Sequence, residues 1–471
     1  MSSVRPWTAD NIQHAAGGML VCGNPAASFG GISIDSRKIK HSDLFVAICG
    51  EIHDGHRFTR DVVDQGVKGL LINRDQSETM PISEWARQGV TCIAVTDTTR
   101  ALGALAGFRR QQSGVQLVAI TGSNGKTTTR QMTAAVVAEK HVTLATSGNF
   151  NNEIGLPLTL FNLEPRHQWA VVELGMNHPG EISRLADICR PDIGVVTNIG
   201  PAHLEGVGSI EGVKNAKGEL IEKLPPEGTA VLNADDPNAR DLARRAPCRV
   251  VLFGTRETAD IRAKNITLEN ARVSFDLLLA GETVPVRLHT PGKFMVSNAL
   301  AAAAVGWLAD IDPQTIRAGL ESIRPAHGRL HTVVTGSGIS IIDDTYNSNP
   351  LSMTAAIETI RSVRGARRRV LVTGDMLELG TFADHLHREI GAAAAGAGLS
   401  RLYATGNFAG ALAEAAAEAG MAARDIITGS REEIITDLEN WLTPGDWVLI
   451  KGSRSMGMEK IVNHLIARDE N

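Results

Sequence analysis

The 471-residue chain lacks the features that mark membrane-spanning and secreted proteins. No uninterrupted apolar stretch approaches the roughly 18 residues that a bilayer-spanning helix needs. The first residues also lack a basic region followed by an apolar core, which is the pattern of a secretory signal. We therefore expect a cytoplasmic protein without membrane insertion.

Cysteine and clustered positive charge are also scarce. The five cysteines are scattered and form no Cys-x-x-Cys pair, so we expect reduced, buried side chains and no cysteine metal site. The net charge of −5 argues against nucleic acid as a partner. The one dense basic cluster, residues 367–369, precedes an apolar strand, and we expect it to be a solvated strand entry.

The most informative stretch is a glycine-rich loop between a predicted strand and a predicted helix. Apolar residues 117–120 form the strand, Gly122 to Gly125 form the loop, and Lys126 begins the helix. Such a loop aims N–H groups and a lysine at a polyphosphate, and the Thr127 hydroxyl suits Mg²⁺. Only two residues separate the glycines, whereas the usual P-loop has four. The stretch nevertheless predicts a site for ATP and Mg²⁺.

Length and composition favour about three domains. Polar breaks near Ser113 and at residues 325–329 divide the chain into three predicted domains, 1–113, 114–325 and 326–471. Strand and helix patterns alternate in all three, which predicts the α/β class. We expect a small N-terminal α/β domain, a central parallel P-loop sheet with an antiparallel extension over residues 266–288, and a C-terminal Rossmann-like domain.

Two later strands of the central domain carry polar side chains at their carboxyl ends. Glu173 ends the apolar stretch 169–174, and His203 follows the strand predicted at 193–198. Ligands of open α/β sheets bind at this edge. We therefore expect both side chains beside the glycine-rich loop, with Glu173 as a metal ligand.

Polar groups also follow strands in the first and third predicted domains. The turn Asp35 to Arg37 offers hydrogen-bonding groups for a polar ligand, although such turns are most often only structural. In the third domain, polar clusters follow three predicted strands, at residues 343–350, 374–376 and 451–454. Because parallel strands end at one edge, these clusters predict a binding cleft.

Several segments resemble the Mur ligases, a family that adds peptide units to the peptidoglycan precursor. The resemblance spans essentially the whole chain, and it rests on TGSNGKTT from Thr121, GNFNNEIGLP from Gly148, ELGMNHPGEI from Glu173, NIGPAHLEGVGS from Asn198, AKGEL from Ala216, DDTYNSNP from Asp343, GDMLELG from Gly374 and KGSRSMGME from Lys451. Within the family, the pair Asn151-Asn152 and the segments DDTYNSNP and KGSRSMGME are most similar to members that join D-alanyl-D-alanine to UDP-N-acetylmuramoyl-tripeptide. No motif like Asp-Asn-Pro-Arg, typical of sisters that add lysine or diaminopimelate, is found.

The resemblance implies an ATP-dependent peptide ligase. ATP would phosphorylate the terminal carboxylate of UDP-N-acetylmuramoyl-tripeptide (UDP-MurNAc-tripeptide), and the amine of D-Ala-D-Ala would attack the acyl phosphate. The first domain would bind the UDP-sugar, the central domain ATP and Mg²⁺, and the third D-Ala-D-Ala, in a monomer that binds no nucleic acid. The helical spacing of Lys217 alone predicts a solvated lysine. The resemblance implies instead that it would be carbamylated.

The resemblance also implies roles for individual residues. The catalytic residues would be Lys126, Glu173, His203 and Lys217, and the metal ligands Thr127, Glu173, His203 and the carbamate of Lys217. The nucleotide would contact Gly122, Ser123, Asn124, Gly125, Lys126, Thr127, Thr128, Asn298, Arg329 and Asp343. The substrates would contact Asp35, Ser36, Arg37, Asn149, Asn151, Asn152, Tyr346, Asn347, Asn349, Lys451, Ser453 and Arg454.

The residues leave other functions open. One is a sister Mur ligase or a ligase like folylpolyglutamate synthetase, and another is a nucleotide-gated binding protein without ligation. The sequence also does not decide between lysine and diaminopimelate as the third peptide residue. Phe294-Met295 replaces a polar pair common in the family, which leaves open how the adenine is held.

Overall fold

The computed structural model describes residues 6–50, 53–269 and 272–467. Within these residues three large sheets follow one another along the chain, each with helices between its strands. The predicted α/β class is confirmed, while the domain boundaries stay a prediction. In the described part of the chain, no helix has the length and apolar character needed to cross a membrane.

The N-terminal sheet has five strands and is accompanied by a two-stranded sheet. The strands are β1 (Trp7–Thr8), β2 (Met19–Cys22), β3 (Ser28–Phe29), β4 (Gly31–Ser33), β5 (Asp43–Val46), β6 (Gly69–Asn73) and β7 (Thr91–Val95). The helices are α1 (Ala9–Ala16), α2 (Thr59–Asp64), α3 (Ile82–Arg87) and α4 (Thr98–Gln112), with 3-10 turns at Gly55–Phe58 and Arg74–Thr79. The order is β2-β7-β6-β5-β4, and only β2 runs antiparallel to its neighbour.

The central sheet has nine strands. They are β8 (Gln116–Thr121), β9 (Thr143–Ala145), β10 (Trp169–Glu173), β11 (Ile193–Val196), β12 (Thr229–Asn233), β13 (Arg249–Gly254), β14 (Ile261–Glu269), β15 (Arg272–Leu279) and β16 (Glu282–Leu288). The helices are α5 (Lys126–Ala138), α6 (Gly155–Leu160), α7 (Glu181–Cys189), α8 (Leu204–Val207), α9 (Ile210–Glu222), α10 (Pro237–Asp241), α11 (Phe294–Leu308) and α12 (Pro313–Ser322), with a 3-10 turn at Leu242–Arg245.

The strand order of this sheet places the glycine-rich loop at a switch point. The order is β16-β15-β14-β13-β12-β11-β8-β10-β9, parallel from β9 to β14 and antiparallel beyond. The predicted antiparallel extension is thus confirmed. The chain builds β9 and β10 on one side of β8 and then crosses to β11 on the other. A crevice opens at such a reversal, beyond the carboxyl ends of the strands.

The third sheet has six strands. They are β17 (His331–Val334), β18 (Ser340–Asp344), β19 (Arg369–Thr373), β20 (Arg401–Ala404), β21 (Ile426–Thr428) and β22 (Trp447–Lys451). The helices are α13 (Pro350–Ser362), α14 (Ala383–Ala395), α15 (Ala409–Glu418), α16 (Arg431–Trp441) and α17 (Glu459–Ala467), with 3-10 turns at Gly380–Phe382, Ala423–Asp425 and Arg454–Met456. The order is β17-β18-β22-β19-β20-β21, with only β17 antiparallel.

Two expectations about surface and burial are wrong in part. Among the five free cysteines, Cys92 and Cys189 are buried, but Cys49 is exposed and the other two are half-buried. Arg368 is not a solvated residue at the entry of β19. Its guanidinium bonds the buried Asp446 carboxylate and lies 3.6 Å from the centre of the Trp441 ring. A partner 78 positions away supplies the countercharge, which the local sequence does not reveal.

Candidate active site

The glycine-rich loop needs its glycines for steric reasons. Gly125 has a φ of 78°, a conformation that L side chains rarely adopt, and a Cβ there would lie 2.2 Å from Asn298 Oδ1. A Cβ at Gly122 would lie 1.8 Å from Thr197 Oγ1. Side chains are excluded at both positions, so the unusually short spacing of the glycines still produces a bare loop that a phosphate can approach.

Residues that follow β11 hold the loop in place. Ser123 N donates to Asn198 O at 3.0 Å, and Asn124 N donates to Asn198 Oδ1 at 2.9 Å. Thr197 Oγ1 donates to Asn124 O at 2.6 Å. The Ser123 and Asn124 N–H groups are therefore already bonded, whereas the N–H groups of the first turn of α5 have no partner within the helix and can face an anion.

Lys126 lies at the start of α5 and curls back over the loop. Its Nζ donates to Gly122 O at 2.8 Å. Burial lowers the pKa of Lys126, and the nearby Glu173 carboxylate opposes that shift. A bound polyphosphate would bring further negative charge and so favour the ammonium form.

Glu173, the last residue of β10, is buried and held from several sides. Thr127 Oγ1 donates to its Oε2 at 2.8 Å, and Asn151 Nδ2 donates to its Oε1 at 2.8 Å. Arg130 Nε, also buried, lies 3.6 Å from Oε2. The carboxylate therefore has a fixed orientation beside the Thr127 hydroxyl, at the edge where β8 and β10 end.

His203 lies on the other side of β8, after β11, and contacts the third domain. Its Nδ1 is 2.7 Å from Glu378 Oε2. Both residues have positive φ angles, 55° and 62°. The contact with His203 lowers the pKa of the Glu378 carboxyl, so this side chain is an anion at neutral pH.

A cavity of about 790 Å³ lies between the carboxyl edges of the central and third sheets. The predicted site residues that line it are Ser123, Asn124, Gly125, Lys126, Thr127, Thr128, Asn149, Asn151, Asn152, Glu173, His203, Asn298, Arg329, Tyr346, Asn347, Asn349, Lys451, Ser453 and Arg454. Phe294 and Met295 line it as well. Gly122, Lys217, Asp343 and the turn Asp35, Ser36 and Arg37 are outside this lining.

Comparison with known proteins agrees with this architecture along the chain. Three family models match: "Mur ligase family, catalytic domain" over residues 28–110, "Mur ligase middle domain" over residues 120–306, and "Mur ligase, glutamate ligase domain" over residues 328–454. The chain is 36% identical over 436 residues to the UDP-N-acetylmuramoyl-tripeptide--D-alanyl-D-alanine ligase of Escherichia coli (strain K12), covering 92% of this chain and 93% of that protein. The chain belongs to the Mur ligase family.

Solved structures agree with the assignment to the Mur ligases. The MurF crystal structure from Acinetobacter baumannii superposes with a TM-score of 0.90 at 33% identity, covering 99% of this chain and 100% of that one. The MurF ligase from Thermotoga maritima, solved in complex with ADP, superposes with a TM-score of 0.82 at 26% identity, covering 93% and 98%.

The third domain of this Mur ligase contributes three cationic side chains to the lining of the cavity, Arg329, Arg454 and Lys451. The Arg329 guanidinium lies 4.0 Å from the centre of the Tyr346 ring, and that of Arg454 lies 5.2 Å from the same centre. Lys451 Nζ bonds Asp344 Oδ2 at 2.6 Å and Asn347 O at 2.8 Å. Burial raises the pKa of the Asp344 carboxyl, and the Lys451 ammonium opposes that rise.

Asp343 has a local bonding role that accounts for its position outside the cavity. Its Oδ2 accepts from Gly328 N at 2.8 Å, and its Oδ1 accepts from Thr345 Oγ1 at 2.6 Å. These bonds fix the turns that carry Arg329 and Tyr346. The predicted contact of Asp343 with the nucleotide stays a prediction.

Lys217 of this Mur ligase is buried, not solvated as its helical spacing indicated. It lies on α9, whose N-cap is Ser209, and its relative exposure is 1%. Burial, reinforced by the positive charge of Lys126, lowers the pKa of Lys217 well below its usual value. This shift favours the neutral amine, which is the form that reacts with CO₂.

Several predicted substrate-binding residues already have bonding partners. Asn152 Oδ1 accepts from Gly155 N at 2.8 Å at the start of α6, and Ser453 Oγ accepts from Leu377 N at 2.9 Å. In the first domain, Asp35 and the exposed Arg37 pair with each other at 2.9 Å. Their contacts with substrates stay predictions.

Sequence reasoning missed Arg130, Asp344 and Glu378 as residues of the site. Asp344 and Glu378 fall in segments that carried the family resemblance, DDTYNSNP and GDMLELG, so their position in those motifs was an available signal. Arg130 had no such signal, because only the fold brings the α5 helix face against the end of β10.

Proposed function

We propose that this Mur ligase uses ATP to join D-Ala-D-Ala to UDP-MurNAc-tripeptide, releasing ADP and phosphate. The observation that supports this most is the cavity between the two sheets. In it, the glycine-rich loop and the candidate metal ligands Glu173 and His203 face the polar strand ends of the third domain. The full-length similarity to a ligase named for these substrates supports their identity.

The protein's part in phosphoryl transfer is to position the reactants and neutralise charge. The first-turn amides of α5 and the Lys126 ammonium would bind the β- and γ-phosphates of ATP. A terminal carboxylate oxygen of the tripeptide would attack the γ-phosphorus, forming an acyl phosphate and ADP. The amine of D-Ala-D-Ala would then attack the acyl carbon, form the amide bond and expel phosphate with loss of one proton.

Thr127 at the start of α5 and Glu173 at the end of β10 form a pair that fits Mg²⁺. The adjacent oxygens of Thr127 and Glu173 are hard ligands of the kind Mg²⁺ prefers, and the His203 imidazole lines the same cavity. Bound there, Mg²⁺ would reduce the repulsion between the γ-phosphate and the attacking carboxylate.

We also propose that Lys217 carries a carbamate. Its neutral amine would add CO₂ and release one proton, which replaces a cation with an anion. A buried ammonium near Lys126 is unfavourable, whereas a carbamate oxygen can ligate or orient a metal. The pKa of Lys217, lowered by burial, supports this modification.

The remaining assignments follow the three domains. The Asp35 to Arg37 turn would bind the UDP-sugar, and Lys451 and Arg454 would help to seat the carboxylate end of D-Ala-D-Ala. We propose a monomer. We also propose a cytoplasmic location, because both ATP and a UDP-linked substrate are used.

Phosphate release in a matrix of substrate pairs tests this function. We expect phosphate from ATP only when UDP-MurNAc-tripeptide and D-Ala-D-Ala are both present, with UDP-MurNAc-pentapeptide detected by mass spectrometry. Turnover with a UDP-MurNAc-dipeptide and a single amino acid would indicate a sister Mur ligase, and turnover with folate and glutamate a folylpolyglutamate synthetase. Nucleotide binding without any ligation product would indicate a gated binding protein.

A further inference from the structure

We propose that Glu378 is a positioning residue that reaches from the third domain to orient His203 for metal binding. This inference rests on the proposed function, in which His203 is a ligand of Mg²⁺. It assigns a role to a carboxylate of the third domain that faces the phosphate end of the cavity.

The contact itself selects one nitrogen of the imidazole. Glu378 Oε2 lies 2.7 Å from His203 Nδ1. The approach is off the line of a regular hydrogen bond, since Nδ1 has no partner at hydrogen-bond angles. At this distance the carboxylate nevertheless favours a proton on Nδ1, because an anion and a ring-nitrogen lone pair repel each other. Nε2 is then the ring nitrogen with a free lone pair. Metal-binding histidines commonly have their other N–H bonded to a carboxylate, which fixes the tautomer and the ring orientation.

Backbone strain occurs at both partners. His203 has a φ of 55° and Glu378 a φ of 62°, and neither is a glycine. Such a conformation costs of order 1–3 kcal/mol and persists only where the surroundings impose it. Here both residues of this one contact between the domains are strained.

A second contact seats the Glu378 turn on the central domain. Glu205 N donates to Glu378 O at 3.2 Å, and a Cβ built on Gly380 would lie 3.5 Å from Glu205 Cα. On its own side, Leu377 N donates to Ser453 Oγ at 2.9 Å. The turn is thus tied both to the end of β22 and to the start of α8, so the position of Glu378 depends on how the domains meet.

The other carboxylates of the cavity are bound differently. Glu173 accepts from Thr127 and Asn151, and Asp344 pairs with Lys451 in its own domain. Glu181 Oε2 accepts from Asn177 N at 2.7 Å. Among the described carboxylates that line the cavity, Glu378 is the one that contacts a candidate metal ligand of another domain.

Substitution of Glu378 provides a clean test because the side chain is 56% exposed, so its removal leaves no buried hole. Glu378→Ala removes the acceptor, and Glu378→Gln keeps an acceptor of the same shape. The control is Glu389→Ala, which removes an exposed pair with His385 within α14. Mn²⁺ affinity is measured by electron paramagnetic resonance with a non-hydrolysable ATP analogue and UDP-MurNAc-tripeptide, alongside steady-state kinetics.

We expect Glu378→Ala to weaken Mn²⁺ binding about 10- to 100-fold, the usual effect of removing a partner of a metal-binding histidine. Glu378→Gln should retain most of the affinity, and Glu389→Ala should match the wild type. In a His203→Ala background, Glu378→Ala should produce no further loss, because the two residues act through one contact.

Three results would overturn the proposal. These are unchanged Mn²⁺ affinity in Glu378→Ala, additive losses in the double variant, and an effect confined to the KM for D-Ala-D-Ala. The last would mean that the carboxylate binds the incoming amine instead. Failure of the proposed function is distinguishable, since the wild-type enzyme would then form no UDP-MurNAc-pentapeptide.

Discussion

The side-chain amides of Asn124 and Asn349 exchange two hydrogen bonds, 3.1 and 2.8 Å long, between the phosphate loop and the third domain. Asn349 is also the N-cap of α13, where its Oδ1 accepts from Ser352 N at 2.9 Å. The residue that starts a third-domain helix thus contacts the loop expected to hold ATP. We therefore expect nucleotide binding and domain contact to be linked through this pair.

Asn349→Ser separates these two roles. Serine keeps the helix cap but is too short to pair with Asn124, so the contact between the two domains should lose about 1 kcal/mol per hydrogen bond. With an ATP analogue and UDP-MurNAc-tripeptide, we expect a larger radius of gyration than for the wild type by solution scattering, at an unchanged melting temperature. Identical scattering profiles would show that the pair does not hold the domains together.

Lys126→Ala tests the phosphate loop. Because the ammonium neutralises charge on the phosphate being transferred, we expect kcat to fall about 10³-fold or more, roughly 4 kcal/mol of barrier. Circular dichroism should show an intact fold. Activity within about tenfold of the wild type, a loss near 1.4 kcal/mol, would remove Lys126 from the catalytic machinery.

Lys217→Met tests the cost of burying the amine. The folded state holds the pKa of Lys217 below its unfolded value of about 10.4, so between those two values the unfolded chain binds more protons and stability rises with pH. In CO₂-free buffer near neutral pH, we expect the methionine variant to be more stable by about 1–3 kcal/mol. Its melting temperature should also vary less from about pH 7 to pH 10.

The contrary result would be a variant less stable than the wild type at neutral pH. That outcome would mean that the amine is well satisfied in the fold and gains nothing from becoming neutral. Lys214→Met, on the same helix but bonded to Glu211 and Asp241, is the control and should not stabilise the protein.

Lys217→Ala tests the carbamate. We expect this variant to be nearly inactive, because the anion that would orient the metal is lost. Formate or acetate should restore part of the activity by entering the vacated space. Full activity without rescue, or a map at high bicarbonate that shows an unmodified lysine in an active enzyme, would defeat the assignment.

The parts of the site that follow strand order were predictable from the sequence. The β8 strand, its glycine-rich loop and the start of α5 have local signals, and Glu173 and His203 lie at the ends of strands that flank β8. Their meeting at one edge follows from parallel topology alone.

Contacts between distant segments were not predictable in this way. Lys217 has the spacing of a surface residue on α9, and only the packing of that helix buries it. The Asn124 and Asn349 pair spans 225 positions and depends on how two domains meet.

The central claim, that an acyl phosphate precedes the peptide bond, is tested most directly by isotope transfer. UDP-MurNAc-tripeptide labelled with ¹⁸O in its terminal carboxylate is ligated to D-Ala-D-Ala, and the released phosphate is analysed by ³¹P NMR. The account predicts one carboxylate oxygen in the phosphate for each peptide bond formed, because the oxygen that attacks phosphorus leaves with it. Phosphate without label, in a reaction that yields the UDP-MurNAc-pentapeptide, would contradict it.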